Sequence, residues 1–235
     1  MKKLVELEIR KFGVKKYLIA SLVIAIYAIF MIVMIGSTEP GDDSMFKGSA
    51  HILFLNGNMM VRLCFIIFAG SLLADMVIKD FKTGTIKVLF TYPIARKKIF
   101  FSKLLAAVCL MVFFMLLAEV LVVIGICISN NMFHMIDNTI SAQMIIKVLP
   151  DILFTVISTI GISLIPLYFG MLKKSVNITI ISSVIITALL NGGVGESTVE
   201  SPGNLFSIAA IPIAMFLIGV GTAYLSFVNI DKFEV

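Results

Sequence analysis

The chain has 235 residues, of which 60% are hydrophobic and only 14% charged, with a mean hydropathy of +1.09. Soluble domains run at about 45–50% apolar and about 25% charged, so an ordinary soluble fold is excluded. Nineteen Lys and Arg against fourteen Asp and Glu leave a net charge of +5; in so apolar a chain this points to a membrane before nucleic acid.

Residues 1–16 open the chain with six of the basic residues: Lys2, Lys3, Arg10, Lys11, Lys15 and Lys16. Val5, Ile9 and Phe12 lie at i, i+4 and i+7, while Lys3, Glu6 and Arg10 line another face. That pattern suits a helix lying in the membrane interface; a plain basic flank that sets orientation is the alternative. Six apolar stretches then follow, at 17–35, 58–78, 104–128, 152–172, 175–191 and 205–228. A bilayer crossing needs roughly 20 residues. The apolar residues are continuous rather than alternating, so these are helices and not barrel strands. The first is too long for the apolar region of a cleavable signal peptide. The expected fold is an all-α integral membrane protein with six transmembrane helices in a single domain.

The basic residues orient it. Sixteen of the nineteen fall in residues 1–16, in 79–103, or at Lys173, Lys174 and Lys232. Lys47, Lys147 and Arg62 fall on the other side. By the positive-inside rule both termini are cytoplasmic, in a multi-pass protein of the cell membrane. The basic excess is then topology, and no nucleic-acid partner is needed. Cys64, Cys109 and Cys127 all lie in apolar stretches and read as small buried residues, not as a disulfide framework or metal site.

Between the second and third stretches runs Asp80-Phe-Lys-Thr-Gly-Thr-Ile-Lys-Val-Leu-Phe-Thr-Tyr-Pro-Ile-Ala-Arg-Lys-Lys98. Ile86, Leu89, Phe90 and Pro93 have i, i+3, i+4, i+7 spacing. Thr83 can cap a short helix over about 85–92, and Pro93 stops it. Its apolar face either lies on the membrane or fills a groove on a cytoplasmic partner.

The run Asp80, Gly84-Thr85-Ile86, Leu89, Pro93-Ile94-Ala95-Arg96 and Lys103 resembles the cytoplasmic loop of ABC-2 type transporter permeases, the membrane-spanning subunits of ABC exporters of the peptide, bacteriocin or antimicrobial export and immunity type. Asp80 stands where Glu is commoner, and Ala95 where Ser is. The six-helix count and the amphipathic N-terminal stretch extend the likeness. The resemblance implies a coupling helix in the 79–103 loop that docks on a separate ATP-hydrolysing subunit. Thr85, Ile86, Leu89 and Phe90 would form its docking face. Arg96 and Lys97 would secure the return into the third helix or meet acidic groups on the partner. It also implies a dimer, with itself or a related permease, over two ATPase subunits that hold ATP and Mg. This chain is then no enzyme and holds no cofactor of its own. It has no G-x-x-x-x-G-K-[S/T] run, so the phosphates must be cradled elsewhere.

Within the bilayer, Glu119 and Arg62 are costly charges. At 1.5 Å rise per residue their depths are close enough for an ion pair, and a substrate or proton contact at Glu119 is the other reading. Thr155, Thr159 and Ser163 on the fourth helix, and Thr179, Ser183, Thr187 and Asn191 on the fifth, form small polar faces. Such faces serve close helix packing or a polar path. Pro166 and Pro212 are candidate kinks. The resemblance, with outer connections too short for a large domain, implies an exporter permease for an amphipathic or membrane-active substrate, a toxin or antimicrobial peptide. The alternative is a non-transporting sensor, channel or scaffold whose cytoplasmic loop binds a regulator. An intramembrane enzyme lacks the paired acids, His cluster or nucleophile–base set that such chemistry needs.

Overall fold

The computed structural model describes residues 2–38, 50–82, 96–133, 142–194 and 205–228. Among them the helices are α1 (Lys2–Lys11), α2 (Val14–Thr38), α3 (Ala50–Leu73), α4 (Lys79–Lys82), α5 (Arg96–Phe133), α6 (Ala142–Ser163), α7 (Ile165–Lys173), α8 (Val176–Val194) and α9 (Leu205–Val228). A π-helical turn, Ala74–Ile78, joins α3 to α4.

Among the described residues, four stretches are long and apolar enough to cross a membrane: Val14–Met34, Leu53–Ile78, Lys98–Asn131 and Val148–Lys173. Where the fifth and sixth crossings are expected lie two shorter apolar stretches, Val176–Leu190 and Phe216–Ser226. The outward faces are apolar as well. On α2, Ile19, Val23, Ile26 and Phe30 recur at helical spacing and are all exposed. In water such a stripe would drive aggregation, whereas in hydrocarbon it is at home. Cys109 is also exposed, so it is not the buried residue expected from sequence; Cys64 and Cys127 are half-buried, and all three are free.

The helices fall into two compact units. One comprises Lys15–Phe65 and Phe113–Val156. Its core includes Ala28, Ile32, Leu53, Val61, Phe114, Ala118, Val122 and Ile126. α2, α3 and α5 close up around Gly57: a Cβ there would lie 3.0 Å from Ile126, 3.1 Å from Ile32 and 3.2 Å from Val122.

The other unit comprises Met1–Val14, Ile66–Val112 and Ile157–Val235. Here the fourth apolar stretch is two helices. Pro166 has no N–H for the carbonyl of Ile162 and its ring crowds that turn. Leu164 instead donates to Gly161 O at 3.1 Å, and the helix restarts at Ile165. α9, by contrast, continues without interruption through Pro212. α7 ends where Lys174 takes a left-handed conformation (φ 48°), and Ser175 N–H donates to Gly170 O at 3.2 Å. This is the ordinary way to satisfy orphan carbonyls at a helix end.

The hydroxyl face of α8 serves packing. Thr179, Ser183 and Thr187 are buried, and each hydroxyl donates to a carbonyl of its own helix, at 3.2, 2.7 and 2.8 Å. With its hydrogen bond made locally, the face is free to sit against glycines. A Cβ on Gly70 would lie 2.6 Å from Ser183 Cβ, and one on Gly170 would collide with Thr179 Oγ1. This is small-residue packing, which lets membrane helices approach closely.

Candidate functional site: a cytoplasmic ion cluster and a buried carboxylate

The residues of α5 that follow its first turn build one buried face. Ile99, Phe100, Ser102, Ala106, Ala107 and Leu110 are buried, and Lys103 stands among them at i+3 and i+4 from Phe100 and Ile99, on the same helix face. An apolar side chain would be ordinary there. A lysine, 1% exposed, is not, because an ammonium out of water is costly without partners. Lys103 has two: its Nζ donates to Asp80 Oδ2 at 2.6 Å and to Glu8 Oε2 at 2.9 Å. The two carboxylate side chains are 19% and 16% exposed, so they keep an edge in contact with solvent while the amine is sealed.

Each partner comes from a different segment. Asp80 is in α4, brought there by the π turn, whose extra residue resets the helix face for everything after Ile78. Ala74, Met76, Val77 and Ile78 of that turn are buried, and it packs on α7 and α8. Glu8 is on α1. There Leu4, Val5, Ile9 and Phe12 are half-buried and Glu6, Leu7 and Arg10 exposed, the two-faced pattern expected from sequence. The helix is shorter than the expected 1–16. It stops at Lys11, because Phe12 and Gly13 leave the helical path, and Val14 already begins α2. Glu6 and Arg10 pair at 3.1 Å on the exposed face, a contact of the kind worth little in water.

Asp80 and Lys103, the two ends of the motif read in the sequence, are therefore in contact. Thr85, Ile86, Leu89 and Phe90 lie outside the described residues. Arg96 and Lys97 form the first turn of α5, which places them at the loop's return into that helix. Sequence reasoning missed Glu8. It is one of two acids, with Glu6, in an otherwise basic stretch, and nothing local sets it apart.

The second feature lies in the unit of α2. Glu119 is 2% exposed, and its Oε1 meets no hydrogen-bond partner among the described residues. The ion pair with Arg62 suggested by their depths does not satisfy this oxygen. Val61 is fully buried in the core of this unit, whereas Arg62, 100° around the helix, is half-buried. One helical turn before Arg62, Asn58 Nδ2 donates to Thr155 Oγ1 at 3.0 Å, leaving Asn58 Oδ1 without a partner among the described residues. Thr155 thus acts as an interhelical acceptor.

Residues 4–191 match the model of a family described as ABC-2 family transporter protein. Over 230 residues the chain is 31% identical to an uncharacterized protein, YcbO, of Bacillus subtilis (strain 168); the similarity covers 97% of this chain and 98% of that one. No solved structure matches the chain.

Proposed function

The chain belongs to the ABC-2 family of transporter proteins, and from that premise we propose that it is the permease subunit of an ATP-driven exporter. Family membership makes it a membrane component of transport, not itself catalytic, that works beside an ABC ATPase. The finer reading has six crossings, both termini in the cytoplasm, and α1 lying in the cytoplasmic interface. Two permease subunits, identical or related, stand over two ATPase subunits that hold ATP and Mg.

The observation that carries this reading is the contact of Asp80 with Lys103. It closes the roots of a loop that bears the family's motif, so that a force applied to the loop is delivered to α5 and to the π-turn end of α3 together. Thr85, Ile86, Leu89 and Phe90 form the face that docks on the ATPase, with Arg96 and Lys97 beside it. The proposed substrate is an amphipathic or membrane-active peptide, a toxin or antimicrobial, moved out of the cell or membrane by alternating access. Such peptides partition into the interface, where a permease with short outer connections can reach them. The interruption at Leu164–Pro166 and the π turn supply places where packed helices can re-seat.

Replacing both Ile86 and Phe90 with Asp tests the reading. The double variant should reach the membrane at wild-type abundance yet fail to co-purify with its ATPase subunit. Retained association would overturn the docking face. ATP hydrolysis by the wild-type complex that is indifferent to the chain would instead favour a sensor or scaffold.

A further inference from the structure

Lys103 does more than close a loop, because its second partner lies 95 residues away on α1. α1 is joined to α2 through Phe12 and Gly13, and a Cβ built on Gly13 would meet nothing within 4 Å. Across that link Val14 N–H donates to Phe12 O at 2.8 Å. The exposed Glu6–Arg10 pair lies within α1 and holds it to nothing else. An ion pair that ties α1 to another segment is Glu8 with the buried amine of Lys103, which also holds Asp80.

One ammonium thus serves carboxylates from two other segments. A buried ion cluster is weak grounds for stability, since apolar side chains in its place stabilise as well or better. What such a cluster does supply is a fixed register, because any other alignment leaves a charge buried and unpaired. Here the register fixed is that of α1 against both roots of the 83–95 loop.

We propose that Lys103 is a positioning residue that locks α1 to the two roots of the cytoplasmic loop, so that α1 and the loop move as one body when the ATPase turns over. This rests on reading the loop as the ATPase contact. It makes α1 part of the transmission: the half-buried side of the interfacial helix is carried along with each stroke of the loop. Glu8 and Asp80 act through Lys103, and none of the three touches nucleotide.

The test uses the full chain in lipid nanodiscs with its ATPase subunit, after Cys64, Cys109 and Cys127 are replaced by Ala. Spin labels are placed on cysteines introduced at Leu7, exposed on α1, and at Lys98, exposed at the start of α5. Their separation is measured without nucleotide and after trapping with ADP and vanadate. ATP hydrolysis by the complex is compared in parallel with that of the free ATPase subunit.

With Lys103 in place, one narrow separation should persist in both states. Lys103→Met should spread that separation and abolish the stimulation of hydrolysis, while the subunits still co-purify. Glu8→Gln keeps the Asp80–Lys103 pair, and hence the folded loop roots, and should loosen α1 in the same direction. Wild-type separations in both variants would overturn the proposal. So would a spread separation with stimulation intact, since the contact would then be structural only. If the wild-type chain binds no ATPase, the exporter reading and the transmission role fall together. The nucleotide-free separations would still decide whether Lys103 holds α1.

Discussion

The closest helix contact suggested by the glycines is also the most direct to test. On α9, Gly219 faces the backbone of Gly161 on α6: a Cβ added at Gly219 would collide with the Gly161 carbonyl oxygen and lie 2.6 Å from its carbonyl carbon. Two residues on, Gly221 meets nothing within 4 Å. The same chemical change, glycine to alanine, therefore has opposite signs at two neighbouring positions of one helix. At Gly221 the alanine adds helix propensity, worth roughly 0.5–1 kcal/mol in a helix interior. At Gly219 the obstacle is backbone and has no rotamer to adopt, so the two helices must part. Overpacking costs about 1–3 kcal/mol where side chains can yield, and here the upper end or beyond is expected. The assay is unfolding in mild detergent, by denaturant titration or by retention of a monodisperse peak after heating, on Gly219→Ala and Gly221→Ala side by side. Gly219→Ala should fall below the parent and Gly221→Ala should match or exceed it. A Gly219→Ala variant as stable as Gly221→Ala would refute the packing of α6 against α9 at these residues.

Other consequences can be checked with the same preparations. Glu119→Gln replaces a carboxyl whose Oε1 has no partner among the described residues, and an ionised acid within the membrane costs about 2.5–3.5 kcal/mol by insertion scales. Stability should hold or rise; a loss of roughly 2 kcal/mol or more would show that the carboxylate is paired after all, since breaking a buried ion pair costs that and more. Asn58→Leu gives up one hydrogen bond to Thr155 but also removes the orphaned Oδ1. Interhelical hydrogen bonds in membranes average about 0.6 kcal/mol, so the midpoint of unfolding should barely move. A large drop would mean that Asn58 organises more than this one contact.

Lys103 shows how far the sequence could be read. As a basic residue next to an apolar stretch it was legible as a topological charge, and as the end of a family-like motif. Its burial was not. That depends on Ile99, Phe100 and Ala106 turning the same face inward, and on which segments then cover that face. Glu8 was hidden for the same reason: nothing local to residues 2–11 distinguishes a carboxylate that meets water from one that meets an amine 95 residues away. Arg62 and Glu119 show the opposite side of the same limit. Helical rise gives their depth from position alone, but pairing also needs the two side chains to face one another, and neighbour and rotation are properties of packing. The hydroxyls of Thr179, Ser183 and Thr187 were legible as one face, because the period of a helix is local, and their role in packing follows once Gly70 and Gly170 are seen opposite them.

The sequence by itself determined a helical membrane chain with its charge gathered around a few connections. Both properties are summed over single residues: twenty apolar side chains prefer hydrocarbon whatever lies beside them, and a backbone in hydrocarbon must bond to itself. Only the tertiary structure decided that the fourth apolar stretch breaks at Leu164, that α3 passes through a π turn before Asp80, and that one sealed lysine gathers α1, α4 and α5. These depend on which surfaces meet, and that is settled by the fit of distant side chains to one another.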